Sequence, residues 1–178
     1  PKDGVGMIDI YIYPEKSVQV EAQFAMINKL FRPSFFNELR SNQQLGYSVF
    51  SLDYEIHDYP VIGMTIVSDN TELQDLKEKM MEFQYGFAAA LESIDNKTIK
   101  NVKTALLEDL NQKPENIYVE VSSLINDWEE GNYNFDTKKT VANHIENTSR
   151  QDLVNLNNRF ILDGDFMNVT VQIRGNDF

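Results

Sequence analysis

The chain has no cysteine and only two histidines among its 178 residues. Without cysteine it can form neither disulfide bonds nor thiolate metal sites, and both reducing and oxidising compartments remain open. The histidines, His57 and His144, are far apart in sequence, and neither begins an H-x-x-E-H motif. In that motif two histidines one helical turn apart bind zinc and the glutamate activates water. The chain therefore lacks this type of catalytic zinc site.

Basic residues and long apolar runs are also scarce. The chain has 16 Lys and Arg residues and 28 Asp and Glu residues, which gives a net charge of −12. Because phosphate backbones attract clustered basic residues, we expect no nucleic-acid partner. No apolar run approaches the ~18 residues of a membrane span, so we expect no membrane partner either. Repeats, low-complexity tracts and Gly/Ser linkers are absent, which predicts one domain over residues 1–178.

Alternating apolar and polar residues predict the strands. The first strand is predicted within Met7–Tyr13, where Ile8, Ile10 and Ile12 share one face. Residues 47–67 are expected to form an antiparallel hairpin with a somewhat long turn at His57–Pro60, and residues 167–173 a final strand.

Apolar residues at spacings of three and four predict helices between these strands. The expected helix starts are Ser17, Thr71 (with Gln74 in a capping box), Asp95, Pro114, Asp136 and Ser149, and the expected stops include Gly131 and Gly164. Pro33 should break or bend the first helix before a second helical piece that carries Leu39. The order of elements predicts an α+β fold, in which a layer of helices covers one face of an antiparallel sheet.

One segment carries a family resemblance. Within Phe36–Ser51 the chain reads Leu39-Arg40 and then Gln44-Leu45-Gly46-Tyr47. This resembles the matching segment of the pitrilysin and insulin-degrading-enzyme (insulinase) family of zinc metalloendopeptidases, whose domains have the same α+β architecture. The resemblance implies that the chain is the C-terminal, non-catalytic domain of such a peptidase. It also implies that Arg40 and Tyr47 bind the peptide substrate, with Gln44, Leu45 and Gly46 as the supporting loop.

The residue types suit these roles, although each has a simpler alternative. Arg40 offers a planar, permanently charged donor for a carbonyl or carboxylate, but a basic residue at a helix C-terminus is also favourable without any ligand. Tyr47 offers an uncharged hydroxyl donor, but a strand tyrosine can simply pack against its neighbours. Two positions depart from the family pattern, since Ser41 and Gln43 stand where Thr and Glu are usual. The change at Gln43 removes a carboxylate that could orient Arg40.

The resemblance also implies the partners and the cofactor. They are the N-terminal catalytic domain of the same enzyme, which holds the zinc, and a peptide substrate. The chain itself is expected to contain no catalytic residue, metal site or cofactor, and to have no activity alone. A periplasmic location is expected, with the cytoplasm as the alternative. Two alternative functions are a structural subunit related to the non-catalytic subunits of processing peptidases and a stand-alone peptide-binding module.

Two further acidic segments are expected to be structural. Asp127, Glu129 and Glu130 are predicted to form a solvated helix end. The segment Asp163–Asn168 resembles a calcium loop only superficially, because it lacks the glycine at position six, and we predict a turn there.

Overall fold

A computed structural model describes residues 4–175, apart from the side chains of residues 161 and 162. Its sheet has four strands, which are β1 (Val5–Ile12), β2 (Ser48–Ile56), β3 (Tyr59–Ser68) and β4 (Met167–Arg174). Their order across the sheet is β2-β3-β1-β4, and every neighbouring pair is antiparallel. This architecture confirms the predicted α+β fold with an antiparallel sheet.

The helices are α1 (Val18–Phe35), α2 (Leu73–Ser93), α3 (Asn96–Leu110), α4 (Ile117–Glu129), α5 (Thr137–Asn147) and α6 (Arg150–Asn158). A π-helical segment, Phe36–Asn42, continues α1, and a second one, Arg159–Asp163, continues α6. Ser17, Asp95 and Ser149 cap α1, α3 and α6 through their side chains, as the sequence predicts. No helix within residues 4–175 combines the length and apolar character needed to cross a membrane.

Pro33 does not break the first helix, and the expected second helical piece that carries Leu39 follows as the π-helical segment Phe36–Asn42. Pro33 lies inside α1, and the chain runs on directly into the π-helical segment. A proline inside a helix costs about 3 kcal/mol. Phe31 and Phe35, which are 3% and 0% exposed, flank it and pack on aromatic rings of α2. Burying each of these rings stabilises the fold by about 1.5–3 kcal/mol, which offsets the loss at the proline.

Three other local predictions were wrong in detail. The reversal between β2 and β3 is a tight turn at His57 and Asp58, both with positive φ, so Tyr59 and Pro60 belong to β3. Thr71 does not cap α2, because its backbone N–H donates to the Ser68 hydroxyl and the helix begins at Leu73. The helix α4 begins at Ile117 with Asn116 as its cap, three residues after Pro114.

The hydrophobic core lies between the helices and one face of the sheet. On β1 this face carries Val5 and Met7, which are 7% and 1% exposed. The largest fully buried side chains of the core are Phe24, Phe35, Met7, Met26, Ile27, Leu39, Ile66, Leu76, Met80, Leu91, Ile145 and Leu153. Both α1 and α2 contact the sheet, so they form the inner part of the helical layer.

Within residues 4–175 the other face of the sheet carries no helix along β1 and β4, where β4 is exposed throughout, and we call it the helix-free face. The pairing register places Ile8, Ile10 and Ile12 of β1 beside the alternate residues of β4 on this face. Those β4 residues are Met167, Val169, Val171 and Ile173, all of them exposed. The predicted isoleucine stripe therefore exists, but it lies away from the core.

Candidate functional site

Arg40 lies on the π-helical segment that continues α1. Its neighbour Leu39 is fully buried, whereas Arg40 is partly exposed. A π-helical turn changes the direction of side chains along a helix, and such turns are frequent at functional sites. Within residues 4–175 neither a hydrogen bond nor an ion pair engages the Arg40 guanidinium. Its five donors are therefore available to a group from outside the chain.

The loop after Arg40 is closed by backbone hydrogen bonds. The Leu45 N–H donates to the Leu39 carbonyl at 2.9 Å, and the Gln43 N–H donates to the Glu38 carbonyl at 2.9 Å. Gln44 has a φ of 53°, an unusual conformation for a residue other than glycine, and the Asn70 amide donates to its carbonyl at 3.4 Å. The loop that leads from Arg40 towards Tyr47 is thus short and fixed.

Gly46 is required where this loop meets the sheet. A Cβ atom at position 46 would lie 2.4 Å from the Val67 carbonyl oxygen of β3. The close neighbour of the Gly46 backbone is therefore β3. The next residue, Tyr47, donates its N–H to the same Val67 carbonyl at 3.0 Å. This bond anchors the backbone of Tyr47, while its side chain is 48% exposed.

Gln43, one of the departures from the family pattern, binds Glu38. The Gln43 and Asn42 side-chain amides each donate to a Glu38 carboxylate oxygen at 2.8 Å. These hydrogen bonds hold the pKa of Glu38 below its usual range, so the carboxylate stays charged and remains bound to Gln43 and Asn42. Gln43 therefore braces the π-helical segment, and no carboxylate within residues 4–175 pairs with Arg40.

The site therefore presents a partly exposed side chain, Arg40, on the π-helical segment and an exposed one, Tyr47, at the end of the braced loop that follows. Arg40 can donate charged hydrogen bonds to a carbonyl or carboxylate, and Tyr47 can donate from an uncharged hydroxyl. Both groups are hydrogen-bond donors, so the arrangement suits binding and charge stabilisation of an oxygen-bearing group.

The described residues do not fit a zinc ion. His57 lies in the β2–β3 turn and His144 in α5. Among residues 4–175 no three His, Asp or Glu side chains are grouped so that they could hold a metal. In Asp163–Asn168 the backbone turns at Gly164, which has a φ of 67°.

The sequence analysis did not predict an acidic cleft that the structure shows between four elements. Asp127, expected at a solvated helix end, is only 7% exposed and lines this cleft, whereas Glu129 and Glu130 are exposed as predicted. The apolar spacing of α4 could have indicated that its polar residues share one face, but it could not show what covers Asp127.

Comparison with known proteins identifies the family. The family described as PQQ synthase PqqF-like, C-terminal lobe domain 4, matches residues 26–125. Protease 3 of Salmonella typhi is 25% identical over 86% of this chain, and the A-factor-processing enzyme of Saccharomyces cerevisiae is 26% identical over 89%. The chain spans only 16% and 15% of the length of these relatives.

Solved structures share the fold. The crystal structure of pitrilysin matches 98% of this chain with a TM-score of 0.89 and 20% identity, and the match covers 19% of the pitrilysin chain. The periplasmic protease PqqL of Escherichia coli matches 97% with a TM-score of 0.70 and 10% identity, over 19% of its own chain. An inactive peptidase domain of a zinc protease from Bordetella parapertussis matches 96% with a TM-score of 0.76 and 8% identity, over 94% of its own chain.

The family match covers more than half of the chain, including residues 40–47, and it agrees with the fold. The chain therefore belongs to the PqqF-like C-terminal lobe family, as a C-terminal, non-catalytic domain of an insulinase-family peptidase.

Proposed function

We propose that this chain is the last domain of a zinc-dependent metalloendopeptidase that degrades peptides, where it binds substrate and helps to wall the reaction chamber. The observation that carries the proposal is the pair Arg40 and Tyr47. Both side chains are solvent-accessible, one hydrogen-bonded loop joins the two residues, and Arg40 has no partner among residues 4–175. A bound peptide supplies the carbonyl and carboxylate oxygens that these donors lack.

The remaining parts of the peptidase lie outside this chain in the proposal. An N-terminal domain of the same polypeptide holds the zinc, the general base and the nucleophilic water. Arg40 and Tyr47 reach towards that centre and fix the peptide near the scissile bond, which contributes positioning and electrostatic stabilisation. A periplasmic location is supported by the likeness to PqqL, which is a periplasmic protease.

The chamber-forming role is supported by the helix-free face. Strand β4 is exposed along its whole length, and its four apolar residues line this face beside the isoleucines of β1. An exposed apolar surface of this kind commonly packs against another part of a protein or faces a ligand.

The proposal is tested by peptide hydrolysis in the full polypeptide that contains this chain. Arg40→Ala and Tyr47→Phe should each lower kcat/KM for an unstructured peptide by roughly 10–1000-fold, because the first removes the charged guanidinium and the second removes the hydroxyl donor. Zinc content, measured by atomic absorption, should stay unchanged. Arg32→Ala is the matched control, since Arg32 is an exposed arginine on α1 eight positions before Arg40, and it should leave kcat/KM near the wild-type value. Normal hydrolysis by both test variants would reject the proposal.

A structural subunit without activity is the second candidate. It is favoured by the likeness to the inactive peptidase domain from B. parapertussis, which resembles this chain over nearly its whole length. This candidate predicts a partner chain that carries zinc and no effect of Arg40→Ala on peptide hydrolysis by the assembled pair.

A further inference from the structure

The acidic cleft lies at the far end of β2 from Tyr47. It has a volume of about 540 Å³ and is formed by the start of α1, the β2–β3 turn, the end of α4 and the start of α5. Tyr47 precedes β2 and Glu55 stands near its end, eight residues later. At ~3.3 Å per residue the two positions are roughly 26 Å apart, so the cleft is separate from the Arg40–Tyr47 site.

Carboxylates dominate the lining of this cleft. Two lysines, Lys16 and Lys138, line it as well, and Lys16 is paired with Asp58. The acidic side chains that line it are Glu21, Glu55, Asp58, Asp127, Glu130 and Asp136. With Asp58 neutralised by Lys16, Lys138 alone remains to balance five carboxylates in the lining.

Asp127 is the second, independent observation. It is more than nine-tenths buried and lines the cleft, and no hydrogen bond or ion pair from residues 4–175 reaches its carboxylate. Its backbone is held in place, since the Asn132 N–H donates to the Asp127 carbonyl at 2.7 Å. Its carboxylate oxygens are not fully enclosed, so they can be reached from the cleft, where a cationic donor from outside the described residues can pair with them.

Burial and mutual repulsion also disfavour the charged forms of the neighbouring carboxyl groups. Burial raises the pKa of Glu21 to about 7, and repulsion from Glu55 and Glu130 adds to the shift. Burial also raises the pKa of Glu130, with further contributions from Asp58 and Asp127. A cation in the cleft would relieve this repulsion.

We propose that the acidic cleft binds the guanidinium or ammonium group of an arginine or lysine side chain that belongs to a polypeptide. A single metal ion does not fit, because no three acidic or histidine side chains among residues 4–175 are grouped to ligate one. A polypeptide, more than a free polyamine, suits the surface beside the cleft. Helix α4 exposes Leu124 and Trp128 by 45% and 60% next to its cleft-lining residues, and Tyr133 is 70% exposed. These apolar side chains can cover the residues that flank the cation.

The test uses the full 178-residue chain and two nine-residue peptides. Both have blocked ends and neutral residues, with a central arginine in one and citrulline in the other. Binding is measured by isothermal titration calorimetry. The arginine peptide should bind about tenfold more tightly than the citrulline peptide, since citrulline keeps the shape and loses the charge.

Variants assign that difference to the cleft. Asp127→Asn and Glu130→Gln should each weaken binding of the arginine peptide several-fold. Glu129→Gln is the matched control, because Glu129 is also exposed on α4 but does not line the cleft, and it should bind like the wild type. Glu130 is exposed, so its substitution should leave the fold intact, which circular dichroism checks.

Three results would overturn the proposal. They are equal affinity for the two peptides, unchanged affinity in Glu130→Gln, and binding of spermidine as tight as that of the arginine peptide. The last result would assign the cleft to free polyamines. None of these results bears on Arg40 and Tyr47, whose variants are measured by hydrolysis.

Discussion

At the scale of single residues, Gly46 shows how closely the loop after Arg40 is fitted to the sheet. Gly46→Ala would push a methyl group to within 2.4 Å of the Val67 carbonyl oxygen, which is backbone and can move little. We expect the free energy of unfolding to fall by about 1–3 kcal/mol, the usual range for overpacking. Urea denaturation measures this change.

Gly86 provides the matched control for that substitution. It lies inside α2, and nothing within 4 Å would meet an added Cβ. Gly86→Ala should therefore stabilise the protein by about 0.5–1 kcal/mol through helix propensity. If Gly46→Ala left the free energy of unfolding unchanged or raised it, the close approach at Gly46 would be contradicted.

Glu21 predicts a pH dependence of stability. Its pKa is raised from an ordinary value of 4.5 to about 7 in the folded protein, first by burial and then by repulsion from Glu55. Between these values the folded state binds more protons than the unfolded state. The stabilisation is therefore fully present below about pH 4.5 and is lost as the pH rises through 7.

Glu21→Gln should remove this dependence. One pKa unit corresponds to about 1.4 kcal/mol, and the partial exposure of Glu21 reduces the effect, so we expect the variant to be about 1–2 kcal/mol more stable than the wild type at pH 8. At pH 4.5 the two proteins should differ little. Urea denaturation at both pH values measures this, and an equal difference at pH 4.5 and pH 8 would contradict the assignment to Glu21.

The candidate site was predictable from the residues only in part. The Leu39-Arg40 and Gln44–Tyr47 sequences indicated which side chains matter, because they resemble a family segment. They could not show that Gln43 binds Glu38 or that Gly46 packs on β3, since both contacts depend on where the loop meets other residues. Asp127 lies in a cleft that brings the start of α1 and the β2–β3 turn next to the end of α4 and the start of α5, so a local sequence pattern cannot predict its burial.

At the scale of elements, strand β4 is the least protected part of the sheet. It is an edge strand with every residue exposed, and a cluster around Asp9 ties it to β1. The Asp9 carboxylate accepts hydrogen bonds from Asn168 and Thr170 of β4, each at 2.7 Å, and from the Tyr11 hydroxyl at 2.8 Å. Gln84 of α2 in turn donates to the Tyr11 hydroxyl at 2.9 Å, which connects the cluster to the helical layer.

Asp9→Ala should loosen this strand selectively. It leaves three donors without their acceptor, which corresponds to a loss of about 1–2 kcal/mol of local stability. Amide hydrogen exchange in Met167–Arg174 should become about tenfold faster or more, whereas the exchange of α1 should change less. Glu108→Ala on α3 is the control, because Glu108 is exposed. Unchanged exchange in β4 would show that the backbone ladder alone holds the strand.

The type of most elements was predictable because periodicity and capping agree. The side chains of Ser17, Asp95 and Ser149 cap helices where the sequence indicated starts. The failures came from tertiary contacts. Aromatic packing on α2 stabilises α1 on both sides of Pro33. The Ser68 hydroxyl accepts the backbone N–H of Thr71, so Thr71 does not cap α2. Alternation identified β1 as a strand, but a period of two describes both faces equally and could not show that Met7 faces the core.

At the scale of the whole molecule, the domain has two surfaces that residues 4–175 do not cover. One is the helix-free face of the sheet, and the other is the exposed apolar side of α4. The chain spans 16% of the length of Protease 3 of Salmonella typhi, and such uncovered surfaces are expected of a domain that packs against further parts of a longer protein. In the proposed enzyme the rest of the polypeptide covers part of these surfaces and supplies the zinc.

The measurement that tests this account most directly is the sequence of the coding region that precedes the codon for Pro1. The account predicts an H-x-x-E-H motif in the same reading frame, followed downstream by a glutamate ligand, which would place the catalytic zinc and the Arg40–Tyr47 site in one polypeptide. A start codon close to Pro1 with no such motif in frame would contradict it, and would instead assign this chain to the class of separate, inactive subunits.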